Sequence, residues 1–462
     1  MSPQQDSWLT RIVRRPPKGL LFFAFAFAVM ADPVSSVAYA IEAALRALNG
    51  HLDLLLPTMG IVIGIIALVA LNYWQLVRVF PKGGGDPEAA GWAFGEGWSF
   101  LPIGALVVDF ALTIAISIAA AGSALIAYMP SLGPARIPIA LVLVVLVALL
   151  TLFGHGGRLI FAVMTCLFIV AAVTVLALGW TSPHQTHGAA PITGSASPAL
   201  VAVILAFPVA MALATGIEAP ATSIAQLGQL DDRGRWRFGR GTLALTVVIV
   251  GGLTMGLTAL AVHLHVGIPG HNETQIADLA AAAAGKGGVF AFFQLSSGLL
   301  LLAAAASSFQ AGPGLLKALA RSGAGGGEGL LPPVLARTNK HHTPVAAVGV
   351  YAVISTAIIL IARGQEQELV LVYAVAVFVS FLAGLLAMAR FFHRRGARAL
   401  MVTNLLGAAA AAFTLIVNLA RGYPLLAIGG TVLIAGVLYR RWVRAGRPRG
   451  IEEIEREAEA EE

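Results

Sequence analysis

The sequence predicts an all-α, polytopic membrane protein with twelve transmembrane helices, in which two inverted repeats of five helices are followed by two more. Three observations support this class. The chain is 58% hydrophobic and only 11% charged, with a mean hydropathy of +0.84. Its apolar residues form twelve runs between short polar connections. Two of these runs, five segments apart, contain an acid close to a proline, which indicates an interrupted helix.

Each apolar run is long enough to cross a hydrocarbon core about 30 Å thick. The twelve predicted spans are 20–47, 57–80, 99–128, 137–153, 158–180, 199–228, 241–266, 288–320, 344–363, 367–392, 400–419 and 424–443. Because the fourth span is short and the eighth is long, we expect both to be tilted or irregular.

Basic residues predict the orientation. The even-numbered connections carry Arg78, Lys82, Arg158, Arg233, Arg235, Arg237, Arg240, Lys317, Arg321, Arg337, Lys340, Arg390, Arg394, Arg395 and Arg398. The odd-numbered connections carry single basic residues, which are Arg46, Arg136, Lys286, Arg363 and Arg421. By the positive-inside rule, both termini are expected in the cytoplasm and the chain in the cytoplasmic (inner) membrane.

The first run is interrupted by Asp32 and Pro33. A charge at this depth must be compensated, and Pro33 removes a backbone donor and disfavours helical geometry at Asp32. Such a pair is tolerated only where a helix opens onto protein or a water-filled cavity. We therefore predict a discontinuous first helix with a cation site at its break, where Ser35 and Ser36 can satisfy freed backbone groups.

The sixth run contains Thr215, Gly216, Glu218 and Pro220 in its middle. Interrupted helices at corresponding positions of two five-helix halves are the best sequence pointer to an inverted-repeat transporter, whose substrate lies where the breaks meet. Two unrelated proline kinks are the alternative. Asp32, Asp109 and Glu218 are the acids well inside a span, and Asp109 and Glu218 are the candidates for proton coupling.

Further polar residues extend this prediction. Thr113 and Ser117 follow Asp109 at four and eight residues, so the three side chains share one helix face. They form an oxygen-lined stripe suited to a cation or a proton, although such hydroxyls also serve helix packing. Tyr39 and Tyr373 are either site phenols or interfacial anchors. A sodium-like site and helix packing are the alternatives for Ser307 and Ser308, in the eighth span.

At these residues the chain resembles the amino acid–polyamine–organocation superfamily, whose members share a LeuT-like five-plus-five inverted repeat. General signatures of the superfamily resemble the stretches 80–85, 216–219 and 335–340. Within it, the stretch from Asp32 to Tyr39 looks most like the KUP-type potassium importers, especially the KimA branch. The resemblance implies potassium-site roles for Asp32, Tyr39, Asp109, Thr113, Thr215 and Tyr373.

The chain departs from that branch in two respects. Its members usually continue into a large cytosolic nucleotide-sensing domain, whereas this chain is expected to stop soon after the twelfth span. Residues 219–222 read Ala-Pro-Ala-Thr where the branch commonly has a serine-asparagine pair. We expect a cytoplasmic N-terminal tail at 1–19, a transporter core at 20–392, helices eleven and twelve at 393–445, and an acidic cytoplasmic tail at 446–462.

The leading hypothesis is a secondary active transporter that imports potassium with protons by alternating access. The runner-up is an amino acid permease; Asp32 would repel a substrate carboxylate, so a polyamine or other cationic amine fits better. A channel is disfavoured by the paired breaks, and an enzyme by the lack of a nucleophile–base or metal-ligand constellation. We expect no cofactor beyond K⁺ and H⁺. The expected partners are the lipid bilayer and a small cation or other small molecule, without nucleic acid, and a homodimer is left open.

Overall fold

The computed structural model describes residues 18–153, 158–184, 198–321, 329–422 and 425–447. Within these ranges the chain consists of α-helices joined by turns and short 3-10 segments, and its β structure is limited to one bridge between Thr338 and Pro344. The predicted all-α class is therefore confirmed. Nearly all of the expected N-terminal tail, almost the whole acidic tail and residues 322–328 lie outside the described ranges.

The described residues contain seventeen α-helices. They are α1 (Lys18–Val29), α2 (Ala31–Ser35), α3 (Val37–Ala47), α4 (Leu55–Val79), α5 (Gly85–Phe94), α6 (Phe100–Tyr128), α7 (Arg136–Leu152), α8 (Arg158–Thr181), α9 (Ala199–Ala210), α10 (Ala219–Ser223), α11 (Asp232–His263), α12 (Gln275–Ala284), α13 (Gly288–Ala320), α14 (Val345–Ile361), α15 (Glu366–Arg394), α16 (Arg398–Ala420) and α17 (Leu425–Arg444).

The chain is a multi-pass membrane protein. Among the described residues, ten helical stretches are long and apolar enough to cross a bilayer. The first predicted span forms three shorter helices, α1 to α3, and the ninth forms α14, of 17 residues. Large apolar side chains such as Leu406 and Leu433 are more than half exposed, as lipid-facing residues are. The count of twelve spans and the inverted relation of the halves stay predictions.

One predicted boundary is wrong. Helix α11 begins at Asp232, well before the expected start near 241, and includes the arginine-rich connection. Asp231 caps it by accepting a hydrogen bond from the Gly234 backbone nitrogen at 2.9 Å. The boundary was missed because the first turns are charged, so they interrupt the apolar pattern but not the backbone hydrogen bonds.

The two predicted breaks differ in kind. The first consists of two kinks, at Met30 and Ser36, where the backbone keeps right-handed helical angles. The second is an unwound stretch, because α9 ends in a 3-10 turn (Met211–Ala214) and Thr215 is extended, with ψ of 142°. Gly216 then adopts a φ of +81°, in the left-handed region that glycine tolerates best.

The two breaks touch each other. A Cβ atom on Gly216 would lie 2.7 Å from Pro33 Cδ and 3.0 Å from Asp32 Cγ, so only glycine permits this approach. Helix α13 packs against α2 at this point, and α6 packs against both α13 and α15. The interior of the bundle therefore forms around the contact between the breaks.

Candidate functional site

Two phenols lie beside the first break. Tyr39 and Tyr373 are 1% and 0% exposed, so the alternative that they are interfacial anchors is wrong. The hydroxyl oxygens of Tyr373 and Thr113 are 2.7 Å apart, and those of Tyr39 and Ser36 are 2.9 Å apart. Both phenols interact electrostatically with Asp32 and Asp109, which brings five of the predicted residues and segments one, three and ten to one point.

Three carboxylate groups lie in the same region, and each has an oxygen atom without a hydrogen-bond partner among the described residues. One oxygen each of Asp32, Asp109 and Glu218 is buried and finds no hydrogen-bond partner in the described part of the chain. None of the three forms an ion pair with a described basic side chain, and they interact with one another. An unpaired buried charge costs several kcal/mol, so this arrangement calls for a cation or for protons.

The stripe on α6 is positioned by its neighbour α14. Ser355 Oγ donates to the Ala111 carbonyl at 3.1 Å, which fixes the backbone of α6 between Asp109 and Thr113. One turn beyond Thr113, the buried Ser117 hydroxyl lacks a partner among the described residues. The shared helix face predicted for Asp109, Thr113 and Ser117 is thus an interior face with free oxygen lone pairs.

Three of the remaining predicted residues, Thr215, Ser35 and Ser307, have hydroxyl protons that are donated to backbone carbonyls. Thr215 Oγ1 donates to the Ala212 carbonyl at 2.6 Å, and Ser35 Oγ donates to the Asp32 carbonyl at 2.7 Å, as the freed backbone groups of a break require. Ser307 Oγ donates within its own helix, to Ala304 at 2.8 Å, and Ser308 is buried. The sodium-like role of Ser307 and Ser308 stays a prediction.

A charged cluster that sequence reasoning missed closes the side opposite the arginine-rich connections. Arg136, expected to be a lone loop residue, is only 8% exposed and lies 3.8 Å from the Glu366 carboxylate. Ser123 Oγ bridges them, at 2.5 Å from each. Nearby, Glu42 pairs with Arg46 at 2.8 Å and accepts the Gln275 backbone N–H at 3.0 Å. The sequence signal for this cluster was the occurrence of single arginines and acids close to the ends of the predicted spans.

Sequence reasoning also missed a buried acid on the arginine-rich side. Asp86, in the first turn of α5, is 3% exposed and accepts hydrogen bonds from Tyr73 and Ser380. Burial raises its pKa from 3.8 to about 7. An available signal was the dipeptide Asp86-Pro87, which repeats the acid–proline pattern of the first break.

A narrow crevice lies between two of the central carboxylates and Ser380, the residue that donates a hydrogen bond to Asp86. We call it the inner crevice, and it is lined by Ala105, Leu106, Asp109, Glu218, Val377, Ser380 and Phe381. Ser380 belongs both to the crevice wall and to the hydrogen bonds around Asp86. A line of polar groups therefore runs from the contact of the two breaks to α5.

An all-α membrane protein whose two interrupted helices meet at buried, unpartnered carboxylates has the architecture of a secondary transporter. A family model described as amino acid permease matches residues 20–439, and the chain belongs to that amino acid permease (APC) family. The family and the relatives below are transporters, not enzymes.

One relative is the potassium transporter KimA of Bacillus subtilis, 28% identical over 365 residues, which are 76% of this chain and 58% of that protein. The chain thus spans less than two thirds of the length of this relative. Two crystal structures of mutant forms of a manganese transporter from Eremococcus coleocola are 16% and 15% identical, with a TM-score of 0.49 in each case. In each comparison, 97% of both chains is covered.

Proposed function

We propose that this transporter imports potassium together with protons by alternating access, with its arginine-rich side in the cytoplasm. One observation carries the proposal: three buried carboxylates with free oxygens converge with two phenols and a threonine hydroxyl where the breaks meet. In this proposal Asp32, Tyr39, Asp109, Thr113, Thr215 and Tyr373 hold the ion. Asp109 and Glu218 are the proton-coupling residues.

The chemistry of the oxygens suits a large monovalent cation. Potassium is weakly hydrated, so carboxylate, phenol, hydroxyl and carbonyl oxygens can replace its water shell. Two carboxylates roughly 6 Å apart repel each other by about 3 kcal/mol at an effective dielectric constant near 20. One potassium ion neutralises one of the three acids. Protons on the others would remove the remaining charge at the membrane midplane, which links ion binding to proton binding.

The named relative supports this substrate over others. The Bacillus subtilis protein is described as a potassium transporter, and its similarity covers 76% of this chain. The family description, amino acid permease, favours the second candidate, an amino acid or polyamine permease. A free amino acid would bring its carboxylate towards the Asp32 carboxylate, and the two negative charges would repel each other. Gly216 also lies against Pro33 at this point, so the backbone is already closely packed there. A cationic amine without a carboxylate avoids this repulsion.

Binding to purified protein tests the proposal. We expect potassium or rubidium at a hundred times its Kd to stabilise the protein by about 2.7 kcal/mol, and neutral amino acids to have no effect. Asp32→Asn keeps the side-chain shape and removes the charge, so it should abolish the stabilisation by rubidium. Asp53→Asn is the matched control, because the Asp53 side chain is 73% exposed.

Two results would count against the proposal. Undiminished rubidium binding by Asp32→Asn would remove Asp32 from the site. Stabilisation by one neutral amino acid, with none by potassium or rubidium, would establish the permease instead.

A further inference from the structure

The carboxyl group of Asp86 occupies a closely fitted pocket between three helices. Tyr73, on α4, donates its phenol hydrogen to Asp86 Oδ2 at 2.6 Å, and Ser380, on α15, donates to the same oxygen at 3.0 Å. The other oxygen, Oδ1, is buried without a hydrogen-bond partner among the described residues and abuts Gly384. A Cβ atom on Gly384 would overlap Oδ1, so the pocket exists only because residue 384 is glycine.

This pocket lies at the α5 end of the inner crevice. Ser380 joins the two, because its side chain lines the crevice that Asp109 and Glu218 also line. Asp86 and Glu218 interact electrostatically, although they belong to different parts of the chain. Helix α5 packs against α15, and Gly85 lies against Thr222 after the second break. Movement of α5 away from α15 would therefore expose Asp86 and break its hydrogen bond to Ser380, which lines the inner crevice.

The surroundings of Asp86 favour its neutral form. From α4 it faces the Tyr73 phenol, from α15 the Ser380 hydroxyl and from the second break the Glu218 carboxylate. No described basic side chain pairs with it. Burial raises its pKa to about 7, although the two hydrogen bonds act in the opposite direction. In water the same group would have its ordinary pKa, near 3.8.

We propose that Asp86 is the proton-release residue on the cytoplasmic side. While α5 packs against α15, the Asp86 carboxyl group takes up a proton from Glu218, and it gives that proton to cytoplasmic water when α5 moves away. The ionised carboxylate then stays in water until α5 closes again. This inference rests on the proposed proton-coupled transport and its orientation.

The direction of the pH effect follows from the two pKa values. Protonated Asp86 favours the closed state, fully so below the pKa near 3.8 that it has in water. As the cytoplasmic pH rises through about 7, the closed state loses this advantage. Between these two pKa values each pH unit shifts the balance about tenfold towards the open state, and above about 7 the balance no longer depends on pH because Asp86 is ionised in both states.

Rubidium influx into proteoliposomes tests the role of Asp86 when the internal pH is varied from about 6 to 8 and the external pH is fixed. We expect wild-type influx to rise with internal pH up to about 7 and then to level off, and Asp86→Asn to lose this rise while keeping its response to external pH. Asp278→Asn is the matched control. Burial also raises the pKa of Asp278 to about 7, but this residue lies on α12, on the opposite face.

Two variants that keep Asp86 make the test sharper. Gly384→Ala should displace the carboxyl group towards water and shift the midpoint of the internal-pH profile to lower pH. Tyr73→Phe removes a hydrogen bond to the ionised form and should shift the midpoint to higher pH. A purely structural role for Asp86 would not move the two midpoints in opposite directions. Rubidium-induced stabilisation of each variant verifies that it is folded.

The outcomes separate this inference from the proposed function. A wild-type internal-pH profile in Asp86→Asn overturns the role of Asp86 and leaves potassium transport intact. If Asp86→Asn does not fold, equal or absent shifts in Gly384→Ala and Tyr73→Phe overturn it. Wild-type rubidium influx that ignores pH on both sides contradicts proton coupling itself, and the inference falls with it.

Discussion

Tyr373 illustrates how an apolar helix places a polar group inside the bundle. Its ring is fully buried, and its hydroxyl group lies 2.7 Å from Thr113 Oγ1 on a different helix. Each hydroxyl has one hydrogen and two lone pairs, so the pair keeps lone pairs free for a cation after bonding to each other. The hydrogen bond thus orients the oxygens and leaves them able to bind.

Tyr373→Phe should weaken rubidium binding about tenfold, because it removes one ligand and leaves the Thr113 hydroxyl without its partner, at a cost of about 1.4 kcal/mol. Equilibrium rubidium binding to purified protein measures the change. Tyr128→Phe is the matched control, since Tyr128 is 48% exposed and lies at the end of the same helix as Thr113. Equal affinities of Tyr373→Phe and wild type would exclude the phenol from the site.

Sequence reasoning found the central acids but missed several buried charges near the ends of the spans, among them Asp86 and Arg136. Asp32 and Asp109 are visible because a charge inside a long apolar run is conspicuous. Asp86 and Arg136 lie in connections, where charges are ordinary, and only the packing of α5 and α7 shows that both are buried. Burial of a connecting segment depends on tertiary contacts that no local pattern encodes.

At the scale of elements, the sequence predicted where the helices break but not how. Pro33 lies within α2, and the chain around it stays helical apart from kinks at Met30 and Ser36. Gly216 instead allows a positive φ, and the sixth segment unwinds there. The difference depends on the backbone freedom of glycine, since proline restricts φ to values that a helix also uses.

Gly216→Ala should destabilise the protein by at least about 1–3 kcal/mol, because alanine is strained at a φ of +81° and its Cβ would meet Pro33. It should also impair transport by separating the two breaks. Thermal unfolding and rubidium uptake measure these effects. Gly252→Ala, in the middle of α11, is the control and should be neutral or slightly stabilising, because a Cβ there meets open space. Wild-type stability and uptake in Gly216→Ala would contradict the contact between the breaks.

The cluster around Arg136 is a second element-scale feature with a measurable effect. Arg136→Gln should destabilise the protein by roughly 3 kcal/mol, because it leaves the Glu366 carboxylate buried without its cation. Chemical or thermal unfolding in detergent measures the loss.

The double variant Arg136→Gln with Glu366→Gln is the internal control for this cluster. It removes both charges, so it should regain much of the stability that the single variant loses. A double variant that is as unstable as the single one, or less stable, would show that the ion pair is not what stabilises this face.

At the scale of the whole molecule, the site is covered on both sides. The Arg136 and Glu42 clusters lie over it on one face, and α5 with Asp86 lies under it on the other. The pattern of apolar runs predicted the helical bundle and the paired breaks. It did not predict this closure, because ion pairs between distant connections depend on the assembled fold. Alternating access requires each cover to open in turn.

Rubidium flux into proteoliposomes with an imposed pH step, measured with and without sodium, tests the central claim most directly. In the proposed mechanism, protons and the cation share the charge of three buried acids, so an inward proton gradient should accelerate uptake and sodium should not be needed. Asp109→Asn should slow this coupled flux more than it weakens binding, because Asp32 remains to hold the ion. Flux that ignores the pH step but requires sodium would contradict the proton-coupled account and make Ser307 and Ser308 the better coupling site.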